Sequence, residues 1–202
     1  MRVGILGSGS GTNAEAIIKS VEAGECPVEI AIVISDVEDA GILKRAAKHN
    51  VPFRYINPGK YKTWLEPEVE ARYVKALKDA GVELIALAGF MRILKDPLLD
   101  AFPQRIINIH PALLPAFPGL KSWQQALEYG VRYSGCTVHL VDKGVDTGPI
   151  ILQAVVPVLE DDTPETLHAR IQVEEHRIYP KAIGLIAEGK VEIQGRRVLI
   201  RD

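Results

Sequence analysis

Asn108-Ile109-His110-Pro111 closes an apolar run of strand length, and strand alternation sets the Asn108 and His110 side chains on the same side. Open α/β sheets hold their ligands at the carboxyl edge of their strands. There an Asn can donate a hydrogen bond to a developing oxyanion, and a His can stabilise it as imidazolium or pass a proton. The plainer reading of His110 is a structural histidine tied to the Pro-rich segment that follows. Asp142-Lys143-Gly144-Val145-Asp146-Thr147-Gly148-Pro149 adds two acids and two glycines between apolar runs. Taken alone, Asp142 and Lys143 read as a solvated turn. Asp146 differs if it faces His110, where a carboxylate would fix the imidazole tautomer or a bridging water.

A second candidate site is Gly7-Ser8-Gly9-Ser10-Gly11-Thr12-Asn13, between the first apolar run and a helical pattern that begins at Asn13 or just after it. Glycines permit close backbone approach and leave amide N–H groups free to meet an anion near a helix N-terminus. The third glycine comes two positions after the second instead of three, and no Lys-Ser or Lys-Thr follows. A single phosphate monoester therefore suits the loop better than a dinucleotide or triphosphate, and a tight strand-to-helix turn without a ligand is the alternative.

Both candidate sites need a sheet to carry them. Strand-length apolar runs at 2–6, 29–34, 53–56, 83–88 and 105–109 alternate with helical patterns at 13–23, 41–49, 67–80 and about 97–102, the signature of βαβ units around a parallel sheet. Runs such as Ile30-Ala31-Ile32-Val33-Ile34 are apolar on both faces, as expected where helices cover both sides. After Pro111, Pro-Ala-Leu-Leu-Pro-Ala-Phe-Pro-Gly reads as an ordered loop. A helix at 122–129, strands near 137–141 and 150–158, a long helix from Pro164 to about Glu188 and a hairpin around Gln194-Gly195 complete the reading. The expected fold class is α/β: a single domain over 1–202 with a Rossmann-like, mostly parallel sheet. Residues 1–110 form its nucleotide-binding-like half, and 111–202 add strands, a long helix and a hairpin.

Composition narrows the function classes. The 202 residues carry 24 Lys and Arg against 26 Asp and Glu, a balance that argues against a polyanion such as nucleic acid as partner. The longest apolar run, Leu84 to Met91, is far shorter than the roughly 20 residues of a membrane helix. Gly4, Gly7 and Gly9 interrupt any N-terminal signal core, so the expected location is the cytoplasm. Cys26 and Cys136 form no Cys-x-x-Cys motif and read as buried thiols. His49, His110, His139, His168 and His176 lack metal-ligand spacing, so no metal is expected.

Four segments in this order and spacing resemble the folate-dependent phosphoribosylglycinamide formyltransferases, over nearly the whole chain: Gly-Ser-Gly-Ser-Gly-Thr-Asn at 7–13, Ala88 to Leu94, Asn108-Ile109-His110-Pro111-Ala112-Leu113-Leu114-Pro115, and Asp146-Thr147-Gly148-Pro149. The Asn-x-His-Pro-x-Leu-Leu-Pro segment with the later Asp resembles formyltransferases acting on 10-formyltetrahydrofolate. The glycine loop selects within that group, since methionyl-tRNA formyltransferase has a different loop and an added RNA-binding domain for which this length leaves no room.

The resemblance implies direct transfer of a formyl group from 10-formyltetrahydrofolate to the amine of 5′-phosphoribosylglycinamide, with Asn108, His110 and Asp146 as catalytic residues. Gly11, Thr12 and Asn13 would hold the ribose phosphate, and Gly89, Met91, Pro111, Gln172, Val173, Glu174 and Glu175 would complete that substrate's site. The alternative for Glu175 is a solvated helical acid. The folate pocket would comprise Met91, Arg92, Ile93, Leu94, Asn108, Val141, Asp142, Lys143, Gly144, Val145 and Asp146. Some relatives use a basic residue near 64–66; Trp64 and Glu66 stand here, and that contact is not carried over. The resemblance also implies a cis Leu114–Pro115 bond, no metal, no nucleic-acid or membrane partner, and a monomer or homodimer. Its rivals are a hydrolytic 10-formyltetrahydrofolate deformylase, which shares the Asn, His and Asp residues, and a non-enzymatic phosphate-binding module that needs only the glycine loop.

Overall fold

Strands buried on both faces are near-continuous apolar runs, as at 3–6, 30–34 and 84–87 of this chain. The computed structural model describes residues 1–201. Its elements are β1 (Arg2–Leu6), α1 (Thr12–Glu22), β2 (Glu29–Ser35), α2 (Gly41–Lys48), β3 (Phe53–Tyr55), α3 (Pro67–Asp79), β4 (Leu84–Leu87), α4 (Asp96–Ala101), β5 (Ile106–His110), α5 (Ser122–Tyr129), β6 (Tyr133–Leu140), β7 (Ile150–Pro157), α6 (Pro164–Ala187), β8 (Val191–Gln194) and β9 (Arg197–Ile200). The fold is α/β, with a mostly parallel sheet in the order β3-β2-β1-β4-β5-β6-β7 and a separate β8-β9 sheet. Two compact units divide the chain within β5, Met1–Asn108 and Ile109–Asp202.

In the first unit β1 lies between β2 and β4, parallel to both, with Val3 opposite Ile30 on one side and Leu84 on the other. Val3, Ile5, Leu6, Ile34, Leu84 and Ile85 are wholly buried. Helix α3 starts at Pro67, where a missing N–H costs nothing, and buries Val69, Tyr73, Ala76 and Leu77, a stripe at helical spacing.

In the second unit β6 and β7 are antiparallel, from Tyr133 opposite Pro157 to His139 opposite Ile150, and α6 packs on both. Strand β7 alternates buried and exposed residues, whereas β6 is buried from Ser134 onward. The Leu114–Pro115 bond is cis, in line with the resemblance.

The main departure from the sequence expectation is β6, which begins at Tyr133, ahead of the expected Thr137. Tyr133-Ser134-Gly135-Cys136 carries no alternation, and a glycine ordinarily weakens a strand. Here Gly135 is what allows the pairing. A Cβ on it would lie 1.9 Å from the Ala154 carbonyl oxygen on β7, so only a residue without one lets the strands approach. Gly135→Ala is expected to destabilise the protein by about 2–3 kcal/mol in chemical unfolding through overpacking against backbone. An unchanged midpoint would show that β7 moves aside freely.

Candidate functional site

In the first unit two of the three glycines in the loop after β1, Gly7 and Gly11, have no room for a side chain. A Cβ on Gly7 would sit 2.6 Å from the Ala88 carbonyl oxygen, and one on Gly11 would sit 2.5 Å from the Ile42 Cα. Gly11 also has φ +79°, a left-handed conformation, and α1 follows directly at Thr12 with no side chain capping it. The first-turn amides of such a helix end are left for water or a ligand. The loop is laced to the segment after β4: Ser8 N–H donates to the Gly89 carbonyl at 3.0 Å, and Met91 N–H donates to Ser8 Oγ at 2.9 Å. Gly89 and Met91 thus lie beside the glycine loop.

The residues from Met91 to Leu94 divide by role. Met91 and Ile93 are exposed, and Leu94 is buried. Arg92 turns its Nε to the buried Asp36 carboxylate at 2.6 Å, and its guanidinium also donates to the Tyr61 carbonyl. Its charge therefore anchors this segment to the end of β2. Trp64 stacks on Tyr61 with ring centroids 3.9 Å apart, and the Lys95 ammonium stands 3.6 Å from the Trp64 centroid. Position 64 thus has a cation beside it, from a residue distant in sequence. Asn108 closes this unit, half-buried on β5 opposite Leu87, with its side chain on the same side of the strand as His110.

In the second unit His110 is buried at the end of β5. Its Nε2 lies 2.9 Å from the Phe117 carbonyl oxygen and its Nδ1 lies 3.4 Å from Asp146 Oδ2. Both expectations for this residue hold at once: it is tied to the Pro-rich loop, and it faces the later carboxylate. A proton on either ring nitrogen has an oxygen to meet. Asp146 sits at φ +54°, and its Oδ2 also accepts from Gly119 N–H at 2.8 Å. Asp146 Oδ1 lies 3.7 Å from His139 Nε2, while His139 Nδ1 is 2.8 Å from the Leu140 carbonyl oxygen. Burial pushes the His139 pKa below its ordinary value, against the pull of that carbonyl and of Asp146. His139 is not among the residues the resemblance names, and its sequence signal is only a lone imidazole between Val138 and Leu140.

Asp142 organises the loop around it, accepting from Gly144 N–H at 3.0 Å and Thr147 Oγ1 at 2.6 Å, as the solvated-turn reading expects. Val145 is half-exposed. Pro111 accepts at its carbonyl from the buried Ser122 Oγ, which fixes the start of α5. On α6, Glu175 is buried in line with Leu167, Ile171 and Ile178, so it is not the solvated acid that was the alternative. Val173 is exposed and Glu174 pairs with Arg177. Successive helical residues point about 100° apart, so the side chains of Gln172, Val173, Glu174 and Glu175 cannot all face one ligand. Among the described residues no group of three or more His, Cys, Asp or Glu is placed to hold a metal ion.

The profile of the formyl transferase family matches residues 1–183. The chain belongs to the formyl transferase family. It is 48% identical over 191 residues to the trifunctional purine biosynthetic protein adenosine-3 of Drosophila pseudoobscura pseudoobscura, covering 93% of this chain and 14% of that protein. The chain thus spans about a seventh of that relative. The phosphoribosylglycinamide formyltransferase of Bacillus subtilis is 41% identical over 179 residues, covering 89% of this chain and 91% of that one. Among solved structures, glycinamide ribonucleotide transformylase 1 from Symbiobacterium toebii superposes with a TM-score of 0.96 at 53% identity, over 100% of this chain and 94% of that one. A formyltetrahydrofolate deformylase from Pseudomonas syringae pv. tomato has the same fold at TM-score 0.90 but 26% identity, and this chain covers 66% of it.

The helix that carries Glu175 is anchored at its N-terminus. Asp162 accepts two hydrogen bonds from Arg170, at 2.7 and 2.8 Å, and further ones from Leu159 N–H and Thr166 Oγ1, beside a Thr163–Thr166 capping box. The Arg170 guanidinium holds the Asp162 carboxyl well below the usual carboxylate range. A depressed folded-state pKa gives stability that is present above the unfolded value, near 3.8, and drains away as pH falls below it. Asp162→Asn is expected to cost about 1–3 kcal/mol in urea unfolding at pH 7, with the gap to the parent shrinking as the pH drops below 3.8. A gap independent of pH would contradict the anchor.

Proposed function

We propose that this chain transfers the formyl group of 10-formyltetrahydrofolate to the amine of 5′-phosphoribosylglycinamide, a step of purine biosynthesis, with the whole of 1–202 acting as one formyltransferase domain. The observation that carries this reading is the His110–Asp146 pair at the end of β5, two residues from Asn108, in a member of the formyl transferase family. The 41% identity to a phosphoribosylglycinamide formyltransferase of nearly equal length supports the choice of acceptor.

The substrate amine attacks the formyl carbon, a C–N bond forms, and the carbonyl electron pair moves onto oxygen. The Asn108 side-chain N–H and the His110 imidazolium stabilise that oxyanion. Asp146, held by Gly119 N–H, orients His110 and takes up the amine proton directly or through a water. The bond to the folate nitrogen then breaks, and that nitrogen receives a proton, so no net proton is released. Backbone amides at Gly11, Thr12 and Asn13 meet the ribose phosphate, in keeping with an uncapped helix start. The exposed apolar side chains of Met91, Ile93 and Val145 suit the flat faces of a pterin, with Leu94, Val141 and main-chain groups around 92 and 142–144 completing the pocket. Glu175 is the α6 residue assigned to the ribosyl-glycinamide end. Both substrates are small and soluble, which suits a cytoplasmic monomer or homodimer that needs neither nucleic acid nor membrane.

Incubation with both substrates is expected to yield formylated phosphoribosylglycinamide. Prompt release of formate without the acceptor would instead identify a deformylase, and phosphate binding without turnover would identify a binding module. His110→Ala is expected to lower kcat by about 100-fold or more, the scale of losing one oxyanion partner. Asp146→Asn is expected to lower kcat far more than it raises the KM for the ribonucleotide; a comparable loss of binding would count against its role in proton handling.

A further inference from the structure

The glycine loop leans on α2, and the contacts there decide which way its peptide groups face. Ile42 N–H donates to the Gly9 carbonyl at 3.0 Å, and Arg45 Nε donates to the Ser10 carbonyl at 2.8 Å. Both oxygens are thereby drawn toward α2. In a trans peptide the N–H points opposite to the C=O, so the Ser10 and Gly11 N–H groups are turned to the other side of the loop. The Gly11 carbonyl accepts from Glu15 N–H, which sends the Thr12 N–H out of the helix end. Three successive amides are thus presented by a loop that α2 holds from behind, the arrangement of an anion-binding nest.

Arg45 is itself held. Its guanidinium pairs with Glu15, which also lies 3.9 Å from the ammonium groups of Lys19 and Lys48 and 3.5 Å from His49 Nε2. His49 in turn faces Glu22 at 2.8 Å. Burial disfavours the ionised Glu15, but His49, Arg45, Lys19 and Lys48 outweigh it and keep its carboxyl below the ordinary value.

We propose that Arg45, held by Glu15, is a positioning residue for a phosphate monoester: it fixes the Ser10 peptide so that the loop amides face the anion, without touching that anion itself. This rests on the reading of the glycine loop as the phosphate end of the ribonucleotide site.

Plain electrostatics and positioning predict opposite signs for Glu15→Gln. Removing a negative charge near an anion site should tighten anion binding, whereas loosening the clamp on Arg45 should weaken it. The experiment measures competitive inhibition by inorganic phosphate against the ribonucleotide, together with KM and kcat, in the parent, E15Q, R45M and R45K. The expected result is that R45M raises the ribonucleotide KM and the phosphate inhibition constant by about tenfold, the scale of one charge-assisted hydrogen bond, with kcat within roughly twofold. R45K falls between R45M and the parent, because an ammonium keeps the charge but lacks the fixed guanidinium fork that meets Ser10 and Glu15 with separate nitrogens, and E15Q weakens phosphate by a few fold. Tighter or unchanged phosphate binding in E15Q, or a fall in kcat at constant KM in R45M, overturns the proposal. Should R45M not fold, the signs read on E15Q and R45K decide. If phosphate does not compete in the parent protein, the phosphate reading of the loop fails and the role of Arg45 falls with it.

Discussion

A carboxylate that is to act on an imidazole must be kept from turning into solvent, and Asp146 is kept by three neighbours. Gly119 N–H and His110 Nδ1 share one carboxylate oxygen, and His139 Nε2 lies opposite the other. The backbone at Asp146 adopts φ +54°, which Asp tolerates better than most residues and which is retained only where the surroundings insist. His110 is fixed from its far side by the Phe117 carbonyl, itself on a residue at φ +53°. The Pro-rich segment after β5 therefore serves the same site as the loop carrying Asp146. One supplies the carbonyl and the amide that hold the pair, and the other supplies the acid.

Local pattern and local chemistry explain which features were legible in the chain. Strand β1, the stretch from β2 to α3, and α5 follow from strand-length apolar runs or helical periodicity, and their ends fall within about a residue of expectation. Asn108, His110 and Asp146 were visible as polar residue types at strand ends and in a glycine-bearing turn. What was illegible depends on partners far along the chain. Strand β6 extends back to Tyr133 because Gly135, lacking a Cβ, lets the Ala154 carbonyl of β7 approach, a partner that the residues around Gly135 do not announce. The first turn of α4 is satisfied by the wholly buried Glu70, which accepts from Lys95 N–H and Leu98 N–H across 25 and 28 residues. Nothing near 95–98 announces that cap.

The same distinction separates Glu175 from Glu174. Both are acids on one helix, and composition cannot tell them apart. Glu175 falls in register with Ile171 and Ile178 and is buried, whereas Glu174 pairs with Arg177 one turn on and stays partly exposed. Glycine spacing in the first loop was likewise readable only in part. Its failure to match a dinucleotide or triphosphate motif was evident, but the reasons for Gly7 and Gly11 lie in Ala88 and Ile42, the second of which belongs to a helix some thirty residues downstream.

Two thiols and two hydroxyls of the kind that form covalent acyl intermediates are buried or already hydrogen-bonded. Burial, with the charges of Glu175 and Glu174 adding to it, pushes the Cys136 thiol up to about 12, which leaves on the order of one thiolate in 10⁵ at neutral pH. Cys26 is buried. Ser8 Oγ accepts from Met91 N–H, and Ser122 Oγ is buried and donates to the Pro111 carbonyl. The partners of the His110 ring nitrogens are a carbonyl and a carboxylate, neither a hydroxyl nor a thiol. Such an imidazole is suited to stabilising charge on a substrate carbonyl and to moving a proton, so the attacking electron pair has to arrive with the second substrate. An amine is nucleophilic without prior activation once its ammonium form has lost a proton, so the proposed transfer to nitrogen requires no protein nucleophile.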